Sequence, residues 1–210
     1  MCCRYYMEMS PELRPIVEAA ARSKLYRDNI QKIAKPLVTE GEVFPDSLVP
    51  VIATNRAGQK TVFPMVWGYH VDGIDRVIAN ARTETAAEKP SFKEGWAMHR
   101  CIIPASWYYE WEHIPTASGK TKAGDKYAIM PRDSQMTWLC GLYRMENGYP
   151  HFVILTRQPG ESVAFIHDRM PLILPEDGAE HWIDPKVNPH LLLSSALTDM
   201  IAEKTAKSAV

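Results

Sequence analysis

Short β-rich runs separated by turn signals dominate the middle of the chain, and they restrict the fold more than any other feature. Residues 37–79 contain VPVIAT, a turn at NRAG, KTVFPMVWGY, a turn at DG, and RVIAN. Further predicted strands follow in RCIIPASWYYEW, KYAIM, TWLCGLY, HFVILT and MPLIL. Strands and helices do not alternate as β-α-β units would. The pattern therefore predicts an α+β fold, with a mixed, largely antiparallel sheet or an open barrel-like core and peripheral helices.

Helical signals lie mainly toward the two ends of the chain. SPE at residues 10–12 is typical of a helix start, and apolar residues at helical spacing extend the pattern to about residue 34, with a break. PEDGAEHWI predicts a helix that begins at its proline. Near the end, Leu192 and Ala196 begin a repeat of apolar residues every four positions. This repeat predicts a terminal helix over residues 190–207.

Composition limits the domain count and the class of partner. No internal repeat or low-complexity linker divides the 210 residues, so one domain over 1–210 is expected. Lys and Arg total 24 and Asp and Glu 25, so the chain lacks the basic excess of a protein that grips long duplexes. Any contact with nucleic acid must then depend on a few local arginines. A monomer is expected.

The absence of certain motifs argues against several classes of protein. The apolar runs are too short to cross a bilayer and no secretory h-region is visible, so a cytoplasmic protein with reduced cysteines is expected, with no membrane contact. The sequence has no C-x-x-C pair, which argues against a metal site. It has neither a Walker A loop nor G-x-G-x-x-G. No cofactor, and in particular no nucleotide cofactor, is therefore predicted.

The first residues, MCCRYY, offer an unusual nucleophile. Removal of Met1 would leave Cys2 with a free α-amine and a thiol on neighbouring carbons, and these groups titrate roughly near 7.7–8.0 and 8.5. Such an aminothiol reacts with an aldehyde to give an imine and then a thiazolidine. Alternatively, the thiol could attack a carbonyl with the α-amine as base. The simpler interpretation is that Cys2 and Cys3 are small apolar residues at the start of a strand.

Three further groups of residues are suited to chemistry. Asn80 and Arg82 lie two residues apart in VIANARTET, a spacing that puts an amide and a guanidinium on one strand face. Glu110 lies within the aromatic run SWYYEW, where desolvation would raise its pKa and suit it to proton transfer. His167 in AFIHDRMPLIL is a candidate general acid. Each group also has an ordinary interpretation: a turn, a solvent-facing carboxylate and a structural ion pair.

Taken together and in order, these motifs resemble one family. MC-x-R, NAR-x-ET, YEW and IHDRMP, flanked by ETAAEKPSF, RCIIPA and VILT, are similar to the pattern of the SOS response-associated peptidases (SRAP) over about residues 1–185. The resemblance implies the SRAP fold and a DNA-damage function. Members crosslink covalently to abasic sites in single-stranded DNA through the N-terminal cysteine, and they are regarded as thiol autopeptidases that remove the preceding residue.

The resemblance also implies roles for particular residues. Cys2 matches the nucleophile, Asn80 the asparagine that holds the cysteine or the sugar, Glu110 the acid–base glutamate and His167 the histidine beside the sugar. The arginines implied in contacts with phosphates or with the abasic nucleotide are Arg4, Arg82 and Arg169, and the aromatic that packs on a base is Trp111. Pro45 and Thr156 are implied in DNA binding only by their spacing to the nearest motif. The implied partner is single-stranded DNA that contains an abasic site, bound at the nucleoid.

Two departures from the family pattern affect these expectations. Cys3 stands where many members carry glycine, and we expect it to fill a small apolar niche. The segment after Trp67-Gly68 is short and lacks the proline and tryptophan that wedge DNA in many members, so Trp67 is expected to be a core residue. Three alternatives stay open: a peptidase that acts on other proteins, a non-catalytic reader of modified DNA, and a redox or metal protein that uses Cys2 and Cys3.

Overall fold

The structure is a computed structural model that describes residues 2–71, 73, 75–116 and 119–205. Its regular elements are thirteen strands and five α-helices, with one 3₁₀ helix near the end. The strands are β1 Tyr5–Met7, β2 Gly41–Val43, β3 Leu48–Thr54, β4 Lys60–Trp67, β5 Asn80–Arg82, β6 Arg100–Ala105, β7 Trp107–Pro115, β8 Thr121–Pro131, β9 Thr137–Glu146, β10 Tyr149–Arg157, β11 Met170–Pro171, β12 Ile173–Leu174 and β13 Met200–Lys204. The helices are α1 Leu13–Arg22, α2 Lys24–Ile33, α3 Thr83–Ala86, α4 Lys93–Met98, α5 Glu176–Trp182 and the 3₁₀ helix Pro189–Ser195.

Five strands close into a barrel at the centre of the protein. The hydrogen-bonded order β10-β4-β3-β6-β9 returns to β10, with only the β10–β4 pair parallel. Strands β3 and β6 are buried along almost their whole length, as their continuous apolar runs require. At Gly141 on β9, an added Cβ would lie 2.7 Å from both the Val153 carbonyl oxygen and Ile103, so only glycine permits this close strand approach. The core-residue prediction for Trp67 is confirmed, because its side chain is fully buried in the barrel.

A second sheet places the N-terminal residues beside the YEW motif. Its order is β13-β8-β7-β1-β2, and β1 pairs antiparallel with both β2 and β7. Tyr5 lies opposite Tyr108, and the Tyr109 N–H donates to the Arg4 carbonyl at 2.8 Å. The β7–β8 register shifts between Trp111 and His113, an irregularity of the kind that redirects side chains near functional sites.

The predicted α+β class is confirmed, and so is the largely antiparallel sheet. The break in the first helical segment falls at Ser23, whose hydroxyl accepts from the Tyr26 N–H at 3.1 Å and caps α2. Because α5 begins after Pro175, the helix predicted in PEDGAEHWI is also present. Of the helices described, none combines the length and the apolar character that a bilayer crossing requires.

The prediction of a terminal helix over residues 190–207 is wrong. After the short 3₁₀ helix, the chain forms β13, which pairs antiparallel with β8 from Met200–Pro131 to Lys204–Tyr127. The free edge of β8 offers unpaired backbone groups, and satisfying them outweighs the local helical spacing of the apolar residues. Residues 206–210 lie outside the described part of the chain.

Candidate active site

The N-terminal segment is held in place from two sides. Strand β1 carries it between β2 and β7, and β5 brings Asn80 against it from the barrel. The Asn80 side-chain amide donates a hydrogen bond of 2.8 Å to the carbonyl oxygen of Cys2. The amide oxygen of Asn80 is buried with no hydrogen-bond partner among the described residues. Asn80 therefore fixes the Cys2 backbone and keeps one acceptor available.

The two cysteines have different environments. Cys2 is buried, and burial together with the nearby Glu110 carboxylate raises the pKa of its thiol. The Cys2 thiol lies 3.8 Å from the Arg4 carbonyl oxygen, to which it can donate. Cys3 is exposed, so the expectation that it fills an apolar niche is wrong. Because alternate residues of an extended chain face opposite sides, only one of the two cysteines can point into the protein.

Glu110 is directed into the protein rather than toward solvent. Its side chain is buried, and this desolvation raises the pKa of the carboxyl above its ordinary value. The backbone N–H of Trp111 lies 3.4 Å from Oε1, and the same oxygen lies 4.0 Å from Nε2 of His167. A carboxyl with a raised pKa beside an imidazole is a pair suited to proton transfer near neutral pH.

His167 is also buried, between Glu110 and His113. Burial lowers its pKa to about 4, so the ring is neutral at pH 7. The Arg169 N–H donates to Nδ1 at 3.0 Å, which favours the tautomer with the proton on Nε2, facing Glu110. The Asp168 carboxylate lies 2.7 Å from the same Nδ1 and favours the opposite tautomer. We favour the first, because the Asp168 side chain is 80% exposed and water can solvate it.

Arg4 and Trp111 form one partly exposed cluster beside this pair. The Arg4 guanidinium lies 5.0 Å from the centre of the Trp111 ring and 4.5 Å from that of Phe44. Glu42 accepts from Lys126 and also lies 3.4 Å from Arg4, so it orients two cations at once. The result is a surface of aromatic faces and positive charge, which suits stacked bases and phosphates.

Arg169 and Thr156 form a separate structural unit. Arg169 makes two hydrogen bonds to the Glu84 carboxylate, at 2.7 and 2.9 Å, and another to the Thr156 carbonyl at 2.7 Å. The Thr156 side chain is fully buried. Most of the Arg169 guanidinium is thus engaged within the protein, whereas Arg82 lies next to the unit with an exposed side chain. Among these residues, Arg82 is the one directly available to a phosphate.

The structure brings most of the predicted site residues together, but not all in the same way. Cys2, Asn80, Glu110 and His167 converge, with Arg4, Trp111 and Arg82 around them. Pro45 lies in the turn between β2 and β3, directly after Phe44, whose ring packs against Arg4. Met1, whose removal is predicted, lies outside the described residues.

Several residues that organise the site are not among those predicted from the sequence. Glu84 holds Arg169, Glu42 orients Arg4, and the exposed His113 ring lies 3.8 Å from that of His167, centre to centre. The NAR-x-ET motif contains Glu84 and could have drawn attention to it. Glu42 and His113 come from segments with no motif, so only the folded chain shows their role.

Comparison with known proteins identifies the family of the chain. The sequence profile of one family, described as SOS response associated peptidase (SRAP), matches residues 1–210. The abasic site processing protein YoaM of Bacillus subtilis is 39% identical over 124 residues, which cover 56% of this chain and 52% of YoaM. YedK of Escherichia coli, of the same description, is 29% identical over 133 residues, 60% of this chain and 56% of YedK. The aligned region thus spans about half the length of these relatives.

Solved structures show the same fold. A phage-related protein from Bordetella bronchiseptica superposes with a TM-score of 0.72 at 20% identity, over 98% of this chain and 95% of that one. A protein from Bacteroides thetaiotaomicron gives 0.71 at 21% identity, over 98% and 93%. At this identity the likeness concerns the fold alone. Since the family profile spans the whole sequence, the chain belongs to the SOS response associated peptidase (SRAP) family.

Proposed function

We propose that this protein senses abasic sites in single-stranded DNA and joins covalently to them through Cys2, as part of the response to DNA damage. Met1 must first be removed to free the α-amine, and we propose that the protein acts as its own thiol peptidase in that step. The observation that carries the proposal is the convergence at Cys2. Asn80 holds its carbonyl at 2.8 Å, and the buried Glu110 carboxylate, which pairs with His167, is near enough to raise the pKa of the Cys2 thiol. The relatives YoaM and YedK are abasic site processing proteins, which supports the proposal.

The first step joins the α-amine to the lesion. An abasic deoxyribose is mainly a closed hemiacetal in equilibrium with an open aldehyde. Glu110, whose carboxyl has a raised pKa, can transfer a proton during ring opening. The neutral α-amine of Cys2 then attacks C1′, and loss of one water from the carbinolamine gives an imine. The free amide oxygen of Asn80 can accept a hydrogen bond from the amine or from a sugar hydroxyl.

The second step closes the ring. The Cys2 sulfur adds to the imine carbon, the thiol proton passes to the imine nitrogen, and a five-membered thiazolidine results with no further leaving group. Burial keeps the Cys2 thiol protonated at neutral pH, so a base must accept its proton as the bond forms. Glu110 is the candidate for this role, while His167, with its proton on Nε2, can donate to the sugar or to the imine. The product needs no cofactor, and the covalent bond supplies its durability.

Non-covalent binding to DNA should be modest. The exposed Arg82 and the Arg4–Trp111 cluster can contact phosphates and one base, while the net charge of the whole chain is only -1. Phosphate contacts carry no base information, and an abasic nucleotide is already unpaired, so sequence preference should be weak. Binding before the chemical step should weaken as salt increases.

Intact mass spectrometry tests the proposal directly. Purified protein should lack Met1, and mixing with an abasic single-stranded oligonucleotide should add the oligonucleotide mass minus one water. If a Cys2→Ala protein lost Met1 as completely as the parent, the proposed self-cleavage would be wrong, while the proposed crosslinking would be unaffected. If protein with a free Cys2 amine gave no adduct, the crosslinking function would be wrong. Turnover of an unrelated peptide would instead favour a peptidase that acts on other proteins.

A further inference from the structure

A second group of histidines lies at the opposite end of β10 from Thr156. It consists of His70, which follows β4, Glu146 at the end of β9, and His151 near the start of β10, and we name it the His70–Glu146–His151 cluster. His151 lies opposite Val66 in the barrel, whereas Asn80 pairs further along β10, at Ile154. The cluster takes no part in the chemistry proposed for Cys2.

The cluster has donor atoms at distances suited to a metal ion. One donor atom from each residue lies within 4.8 Å of the other two. The Glu146 Oε2 atom lies 3.0 Å from His70 Nδ1 and 3.5 Å from His151 Nδ1. Zinc held tetrahedrally with bonds of about 2.0–2.2 Å separates its ligand atoms by about 3.3–3.6 Å. Two histidines and one carboxylate are also a ligand set that proteins use for zinc.

The surroundings fix the carboxylate in a suitable orientation. Arg144 donates to the other carboxylate oxygen, Oε1, through Nε at 2.8 Å and also contacts it through a terminal nitrogen at 2.6 Å. These contacts leave Oε2 directed at the two imidazoles. Hydrogen bonds of this kind, made to a ligand and not to the metal, orient metal ligands in proteins. The Glu146 side chain is only 11% exposed, so water competes weakly for it.

The cluster is open to solvent and therefore to a metal ion. It lines a cavity of about 340 Å³ whose wall also includes Lys32, Asp46 and Tyr149. The His70 side chain is 59% exposed, so an ion can reach the donor atoms from solvent.

We propose that the His70–Glu146–His151 cluster binds a divalent transition metal ion of the zinc class, with water in the remaining position. The His151 Nδ1 atom now lies 2.9 Å from the Gly68 carbonyl oxygen, a contact that requires a proton on that nitrogen. The metal replaces this proton and the one that His70 shares with Glu146, and both protons pass to solvent. The absence of C-x-x-C predicts no metal site, but these donors lie 76 and 5 residues apart in the chain, beyond the range of such a motif.

The test is zinc binding by the full-length protein, measured by competition with a chromophoric chelator, with Co²⁺ as a spectroscopic probe. One zinc ion per chain is expected, and Co²⁺ should show the intense visible absorption of a four-coordinate site. His70→Ala should abolish this binding, as should His151→Ala. The His70 side chain is 59% exposed, so its replacement should not affect folding. Glu146→Gln should also lose the site.

Matched controls separate this site from other donors. His113→Ala alters a second three-donor group, His113, His167 and Asp168, and Cys3→Ser removes an exposed thiol. Both variants should bind one zinc ion as the parent does. The proposal is overturned if His70→Ala keeps full binding, or if His113→Ala or Cys3→Ser removes it. Neither result bears on crosslinking through Cys2, which is measured separately with the abasic oligonucleotide.

Discussion

The side chain of Asn80 holds the carbonyl oxygen of Cys2 at 2.8 Å, although 78 positions separate the two residues. The bond fixes the nucleophile relative to the Glu110–His167 pair. Asn80→Ala should therefore slow crosslinking by about 10²-fold, because a small misplacement of a reacting group has effects of this size. The rate at saturating abasic DNA should fall, while binding of undamaged single-stranded DNA should not change.

Asn80→Asp provides the matched control for this prediction. A carboxylate has the same shape but cannot donate to the Cys2 carbonyl, so the variant should be as slow as Asn80→Ala. A parent-like rate in Asn80→Asp would show that the hydrogen bond is not what positions Cys2.

The two adjacent cysteines should respond differently to substitution. Cys2→Ala should abolish the stable adduct with abasic DNA and leave at most a reversible imine, because no thiol remains to close the ring. Cys3→Ala should react at nearly the parent rate, since its nitrogen lies in a peptide bond and its side chain is exposed. The measurement is a denaturing gel with a labelled oligonucleotide and no reductant. A requirement for Cys3 with Cys2 dispensable would contradict the mechanism.

Glu110 should matter for rate and not for folding. Glu110→Gln should slow crosslinking by about 10²–10⁴-fold, the range for a general acid–base group. Its free energy of unfolding should be unchanged or higher, because the buried carboxylate is desolvated in the folded protein. Glu112→Gln, two residues along β7, is the control and should keep the parent rate. If Glu110→Gln crosslinked as fast as Glu112→Gln at neutral pH, Glu110 would take no part in the chemistry.

His167 should make the stability of the protein depend on pH. Its folded-state pKa, about 4, lies below the ordinary value near 6.5, so between these values the unfolded chain binds the additional proton. The free energy of unfolding should therefore fall as the pH decreases from about 6.5 to about 4, by an amount on the order of 2–3 kcal/mol.

Urea unfolding at several pH values measures this effect. His167→Gln should lose most of the pH dependence in that window, because glutamine does not titrate. If the variant showed the same slope as the parent, other groups would be responsible and His167 would not be buried in its neutral form.

Arg100 should be essential for stability, although it carries none of the proposed chemistry. Its side chain is 2% exposed, and it donates to the carbonyl oxygens of five residues: Trp96, Ala97, Trp182, Asp184 and Val187. Arg100→Met leaves these acceptors without a donor and should lower the free energy of unfolding by about 3–5 kcal/mol. Arg132→Ala breaks an exposed ion pair with Asp199 and should change it by less than about 1 kcal/mol. Similar effects of both substitutions in urea unfolding would contradict this role.

Local patterns in the sequence were enough to predict much of the fold. Residue alternation and turn signals predicted the strand-rich middle and the α+β class, and the proline-led segments predicted α1 and α5. These signals depend on neighbours within a few residues, so they can be read without knowledge of the fold. The candidate site residues came from the family that the four motifs resemble, and the folded chain brings Cys2, Asn80, Glu110 and His167 together.

The tertiary structure decided what depends on distant partners. The five-stranded ring closes through the parallel β10–β4 pair, and the tail forms β13 because the edge of β8 lies beside it. Arg100 is buried because carbonyl groups of the preceding helix α4 and of the distant segment 182–187 surround it. The His70–Glu146–His151 cluster assembles only when β9, β10 and the segment after β4 meet. Sequence spacing carries no information on such pairings, since they depend on which surfaces remain unsatisfied after the local elements have formed.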